Sequence, residues 1–201
     1  RMFDFKYKED IEECYGFLEV KKIPTKDMSV INIENHDALI DLSPCIGIYQ
    51  EAVFFEKYDI DKDIDLYKLI DKDKNIDATK YKTLDKKILY LTSLETNQKR
   101  YIMQVDRALV RKEQKNQLKA RLGEVFSCQD DSQQICEIQF AERRNGDLAF
   151  SAVGYADVIK DNIVYELKFV SELTHEHFLQ CACYVVAKKL KSGILWNTRI
   201  N

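Results

Sequence analysis

Gly154-Tyr155-Ala156-Asp157-Val158-Ile159-Lys160-Asp161-Asn162-Ile163-Val164-Tyr165-Glu166-Leu167-Lys168-Phe169-Val170 is the stretch on which the reading of this chain turns. Its two arms are rich in β-branched and aromatic residues, which suit a pleated surface. Between them, Asp161-Asn162 fits turn positions with positive φ, so a tight hairpin is expected. Asp157 then sits near the end of one strand, and Glu166 and Lys168 sit on the next. Side chains two apart on a strand share a face. Glu166 and Lys168 are therefore neighbours, and the hairpin can bring Asp157 to them. Ile163, Tyr165, Leu167 and Phe169 form the opposite, apolar face. Two acids and a lysine beside a core are costly unless a cation compensates their charge. Two close carboxylates suit Mg2+, a hard ion that prefers oxygen ligands and keeps several waters.

Upstream, Ile135 to Ala141 and Asp147 to Ile159 read as strands about an Arg144-Asn145-Gly146 turn, which makes three consecutive antiparallel strands with Ile163 to Val170. Downstream, Thr174 is a plausible N-cap. The helix it opens runs to about Lys191, with Gly193 as the residue just past its end. A last strand begins at Ile194. Gln180 and Tyr184 are four apart and share one helical face, while Phe178, Cys181, Ala182, Val185 and Val186 can turn inward. His175 and His177, two apart, do not face each other. They read as structural residues at the helix start, with closeness to a substrate phosphate as the functional alternative. An acid two residues before a lysine also occurs at Glu19/Lys21, Asp85/Lys87 and Glu113/Lys115, so that triplet alone says little. Its combination with Asp157, Gln180 and Tyr184 says more.

Residues 89 to about 127 read as helical, with Tyr101, Val105, Ala108, Leu109, Leu118, Leu122, Val125 and Phe126 at helical spacing. A basic series runs among them. Arg111, Lys115, Lys119 and Arg121 are its candidates for contact with a nucleic-acid backbone, since phosphate contacts come mainly from Lys and Arg; the plain alternative is a solvated helix face. Residues 56 to 88 read as a solvated helical surface of mixed charge. Asp71 to Asp77 lacks the glycine and the glutamate of an EF-hand, with Ile76 and Lys82 in their places. Lys8 to Phe17 reads as a short helix, and Ile46 to Phe55 as a buried strand or helix. The organisation expected is an N-terminal, largely helical extension over 1–110 and a core over 111–201.

The composition, 45% hydrophobic and 32% charged over 201 residues, supports a real core. No apolar run is long enough to span a bilayer. Six cysteines without a CxxC pair, and no apolar leader at Arg1 to Lys6, point to reduced thiols and an intracellular (cytoplasmic or nuclear) setting. Both ends read as cuts from a longer polypeptide. The net charge of −3 does not advertise a nucleic-acid binder, but a local basic patch can attract phosphate on an acidic protein.

Gly-x-x-Asp at Gly154 to Asp157, Glu-x-Lys at Glu166 to Lys168 and Gln-x-x-x-Tyr at Gln180 to Tyr184, in that order, resemble the signature of the PD-(D/E)XK nuclease superfamily in its RecB-like branch. The resemblance covers roughly residues 118 to 201. It implies an α/β (α+β) restriction-endonuclease-like core, a central mixed sheet flanked by helices. It implies hydrolysis of DNA phosphodiesters with Mg2+ or Mn2+. Asp157 and Glu166 would be metal ligands, Lys168 would position or activate the water, and Gln180 and Tyr184 would help hold the site and the DNA. Such domains are often fused to helicases or primases, which implies a place in replication, recombination or DNA repair, or in a viral equivalent. The family's first motif, Gly-x-x-x-His, falls on Gly123-Glu124-Val125-Phe126-Ser127, with serine in place of the histidine ligand. Glu124 is the expected replacement ligand, with Glu137 as the competing one. Some relatives carry an iron–sulfur cluster; only Cys181 and Cys183 are close here, so none is expected. The alternative to an enzyme is a catalytically impaired module of the same fold that binds nucleic acid or serves a structural role.

Overall fold

The structure, a computed structural model, describes residues 8–20, 31, 40–70, 80–103, 105, 110–139 and 151–200. In chain order its elements are α1 (Lys8–Phe17), β1 (Glu19–Val20), α2 (Ser43–Phe54), α3 (Ile60–Ile70), α4 (Leu84–Glu95), α5 (Arg100–Met103), α6 (Lys112–Gly123), β2 (Ser132–Gln139), β3 (Ser151–Lys160), β4 (Ile163–Lys168), α7 (His175–Ala187) and β5 (Ser192–Asn197). They form two compact units: Arg1–Ser29 together with Asp130–Asn201, and Val30–Gln129. The helical unit continues to Gln129, and α1 belongs with the sheet because Ile11 is buried with Ile138 and Ala182, against Cys14 and Tyr15.

In the sheet unit, the strand order is β1-β5-β4-β3-β2. β1, β5 and β4 run parallel; β3 and β2 continue antiparallel. Parallel neighbours need a crossover, and α7 supplies it between β4 and β5. The result is the mixed sheet with flanking helices expected of an α+β nuclease-type core. Cys136, Ala156, Val164, Cys181, Val185 and Leu195 form the core between α7 and the sheet. β4 is buried through its middle on both faces, since Val164, Tyr165, Glu166 and Leu167 are all buried.

α7 ends earlier than the expected Lys191. Lys189 takes the left-handed conformation (φ 55°). Leu190 N–H then bonds to the Val185 carbonyl at 2.9 Å, and Lys189 N–H to that of Val186 at 3.0 Å. This is a Schellman ending made without glycine. Gly193 therefore does not end the helix; it lies in β5. A Cβ there would come within 2.7 Å of Leu18 and Val185 and 2.9 Å of the Cys181 sulfur. Glycine is needed at that position for α7 to lie close on the strand.

In the helical unit, Ile46 to Phe54 proves to be helical, within α2, and Phe55 is its extended C-cap; Pro44 sits in the first turn, where the missing N–H costs nothing. α4 is capped by the Thr83 hydroxyl, which accepts from Lys86 N–H. Tyr81 and Tyr90 stack with ring centroids 4.8 Å apart. The single helical stretch expected from residue 89 is broken into α4, α5 and α6. The first break falls where Asn97 adopts φ 53°, a conformation asparagine tolerates. The Asp71 to Asp77 stretch, Ala108 and Leu109, and the Arg144-Asn145-Gly146 turn lie outside the described residues. Among the described residues, no helix is long and apolar enough to cross a membrane.

Candidate active site

The hairpin that carries the acids closes on Asp161 (φ 51°) and Asn162 (φ 62°), the two positive-φ positions of a type I′ turn. Lys160 pairs with Ile163, Ile159 with Val164 and Val158 with Tyr165. At the next residue, a side chain enters the ladder: Asp157 Oδ2 accepts the Leu167 N–H at 2.6 Å. Ala156, Asp157 and Val158 are all buried, so the in–out alternation of β3 is interrupted there. The Leu167 N–H bond holds the Asp157 carboxylate against β4, where its charge acts on Glu166.

Glu166 is 1% exposed and Asp157 8%. Glu166 Oε1 accepts from Lys168 Nζ at 2.7 Å. Its other oxygen, Oε2, is buried and has no hydrogen-bond partner among the described residues. Burial raises the Glu166 carboxyl to about 8, and the nearby Asp157 charge pushes the same way, while Lys168 and the backbone N–H of Asp157 oppose both. Asp157 is also raised by burial, against the charge of Lys168 and the Leu167 N–H. Two buried carboxyls share one ammonium, and an oxygen is left over.

Helix α7 completes the group. Lys168 Nζ donates to Gln180 Oε1 at 3.1 Å, and Gln180 Nε2 donates to the Tyr184 hydroxyl oxygen at 3.0 Å. An ammonium can only donate, so it fixes the amide orientation and the direction of the chain. Gly154 explains how Tyr184 gets so close: a Cβ at 154 would stand 2.6 Å from the Tyr184 oxygen and 2.8 Å from its ring. Glycine in Gly-x-x-Asp thus makes room for the tyrosine of Gln-x-x-x-Tyr.

Two residues that sequence reasoning passed over hold the end of β4. Asn197 and Thr198 are 3% and 0% exposed. Thr198 N–H donates to the Lys168 carbonyl at 2.8 Å, and Asn197 Nδ2 to the Val170 carbonyl at 2.9 Å. Polar residues directly after the apolar Ile194-Leu195-Trp196 were the available signal. At the start of α7, His177 Nδ1 accepts from Thr174 N–H at 3.0 Å. His177 is lowered by burial and by the charge of Lys168. His175 Nδ1 is 2.7 Å from the Tyr15 hydroxyl, and the Tyr15 ring also packs on Phe178, 5.7 Å between centroids.

The structure therefore brings Asp157, Glu166, Lys168, Gln180 and Tyr184 together. Glu137 stands apart: it is exposed, pairs with Val153, and lies four residues along the strand from the Asp157 position, roughly 13 Å at ~3.3 Å per residue. Glu124 is the exposed C-cap of α6 and belongs to the helical unit. Gly123 beside it is not demanded by packing, since a Cβ there would only touch Phe54 at 4.0 Å. Of the basic series, Arg111 and Lys119 are exposed, and Lys115 sits over the Tyr49 ring with Asp85 at 3.9 Å. Arg121 is 5% exposed, which removes it from a surface series.

These residues fit a divalent ion. The donors are carboxylate oxygens, which suit a hard cation, and the partnerless Glu166 Oε2 is a buried acceptor that a cation would satisfy. Among the described residues, no group of three His, Cys, Asp or Glu is arranged as a ligand set. Mg2+ is commonly held by one or two carboxylates, with waters and phosphate oxygens in the other positions. Against known proteins, residues 132–200 match the family model of the PD-(D/E)XK nuclease superfamily. That segment, which spans β2 to β5, is thus similar to a domain of this nuclease superfamily. No curated protein and no solved structure matches the chain.

Proposed function

We propose that the sheet unit is a RecB-like nuclease that hydrolyses DNA phosphodiester bonds with Mg2+ or Mn2+, as one part of a larger replication, recombination or repair protein. Linkage to a helicase or primase is part of the same proposal. The observation that carries it is the buried pair Asp157 and Glu166, with one partnerless oxygen, tied through Lys168 to Gln180 on the next helix. Asp157 and Glu166 would hold the ion, which when bound lowers the pKa of water and neutralises charge building on the phosphate. Lys168 keeps a fixed positive charge beside the attacked group, where preorganised electrostatics act most strongly. Glu166 and Gln180 hold its ammonium from two sides, so it need not reorganise during reaction. Asp157 is oriented by the Leu167 N–H and acts as a ligand rather than an acid.

One observation favours a second reading, a catalytically impaired nucleic-acid-binding module: Ser127 stands where the family's first motif has its histidine ligand. Incubating the protein with single- and double-stranded DNA and with RNA, in Mg2+ and in Mn2+, separates the two. Cleavage by the wild type that is lost in Lys168→Ala supports the nuclease. Metal-dependent binding with no cleavage of any substrate supports the impaired module.

A further inference from the structure

His177 stands at the third position of α7, where a capping box ordinarily has glutamate or glutamine. Its Nδ1 accepts the Thr174 N–H at 3.0 Å, which fixes the ring. A neutral imidazole that accepts through Nδ1 carries its hydrogen on Nε2. Burial and the Lys168 charge both favour that neutral form. His177, Gln180 and Tyr184 follow at helical spacing and so share one side of α7. Gln180 on that side is bonded to Lys168 itself. No described residue accepts from His177 Nε2.

This side of the site presents donors: the Lys168 ammonium, the ring N–H of His177, and a Tyr184 hydroxyl whose oxygen already accepts from Gln180. The first turn of a helix adds positive potential of the same sign. The acids lie beyond, with the oxygen that calls for a cation. Glutamate at position 177 would cap the helix equally well and would suit its dipole, but it would set an anion against an incoming phosphate. We propose that His177 is a phosphate-binding residue whose Nε2–H donates to a non-bridging oxygen of the substrate phosphodiester beside Lys168. The proposal rests on the nuclease reading above and adds to it the group that orients the phosphate.

The test replaces His177 by asparagine, whose Oδ1 takes the place of Nδ1 and keeps the cap but cannot reach as far as Nε2. Binding of a short fluorescein-labelled DNA strand is followed by anisotropy with Ca2+ in place of Mg2+, over a series of salt concentrations. Cleavage in Mn2+ and the melting midpoint are measured alongside. The midpoint of His177→Asn should equal that of the wild type. Affinity should fall about tenfold or more, the scale of one hydrogen bond to a charged group. The slope of log affinity against log salt should not change, because a neutral donor releases no counterion. The kcat/KM for cleavage should fall at least as far as affinity. His177→Glu covers the case in which asparagine holds the helix poorly: glutamate caps at this position, so its midpoint should match or exceed the wild type while affinity drops further. If either variant keeps wild-type affinity and cleavage while the wild type is active, His177 only caps the helix and this inference fails alone. A shallower salt slope in His177→Asn also overturns it, because the contact is then ionic. A wild type that neither binds nor cleaves overturns the nuclease reading and this inference together.

Discussion

Replacing Glu166 by glutamine tests the electrostatics of the site without any substrate. The change keeps the shape of the side chain and an oxygen for Lys168 Nζ, and removes a charge from a position 1% exposed. In the metal-free protein, burial first and the Asp157 charge second lift the Glu166 carboxyl from 4.5 to about 8. The folded protein then keeps a proton between those pH values that the unfolded chain has already released. Its stability therefore falls as pH rises from about 4.5 to about 8. At ~1.4 kcal/mol per pH unit over which the folded chain holds that proton, the loss is on the order of a few kcal/mol. Asp157 and Glu166 titrate as a pair, so about 2 kcal/mol is the working figure for one of them. At roughly 2–4 °C per kcal/mol, Glu166→Gln should melt roughly 4–8 °C above the wild type near pH 8. The gap should close toward pH 5, where the folded Glu166 is itself neutral. Thermal unfolding in EDTA at both pH values measures it. Mn2+ should then stabilise the wild type by about 2.7 kcal/mol at a hundred times its Kd, raising its midpoint, and leave Glu166→Gln nearly unmoved. A variant less stable than the wild type near pH 8 without metal would refute the reasoning. So would a gap that is the same at both pH values, or an equal Mn2+ response in the two proteins.

Lys168→Ala should abolish cleavage while DNA binding changes by no more than about threefold, because binding is spread over many phosphate contacts; equal loss of both recasts Lys168 as a binding residue. Gly154→Ala forces a Cβ to within 2.6 Å of the Tyr184 oxygen. It should cost about 1–3 kcal/mol of stability in denaturant titrations and lower cleavage further than that loss explains; wild-type activity would show that the Tyr184 position is immaterial.

The hairpin was legible because everything that makes it is local. Asp161-Asn162 dictates the turn, the turn dictates the pairing, and the two-residue period of a strand puts Glu166 beside Lys168. Gln180 and Tyr184 were legible for the same reason, through the period of a helix. The resemblance to PD-(D/E)XK nucleases rests on these local patterns strung in order, and the family match over residues 132–200 falls on the same stretch. Charge density could not say which members of the basic series are exposed. Arg121 lies one turn from Leu118 and next to Leu122, and it is buried with them.

Contacts between residues far apart in sequence had no local signature. The bond from Leu167 N–H to Asp157 Oδ2 depends on where two strands part company. The hold of Asn197 and Thr198 on the end of β4 depends on a parallel pairing about thirty residues distant, Lys168 with Asn197. Gly193 looked like a helix ending because glycine commonly serves there. Its actual role, room for Leu18, Val185 and Cys181, appears only when three elements meet. The same holds for α1, which its own sequence marks as a helix but which joins the sheet unit through Ile11, Cys14 and Tyr15. The sequence alone thus determined which side chains share a face, because backbone periodicity is a short-range property. The tertiary structure decided how deeply Glu166 is buried and which of its oxygens lacks a partner, because burial and hydrogen-bond satisfaction are set by neighbours that packing brings from elsewhere in the chain.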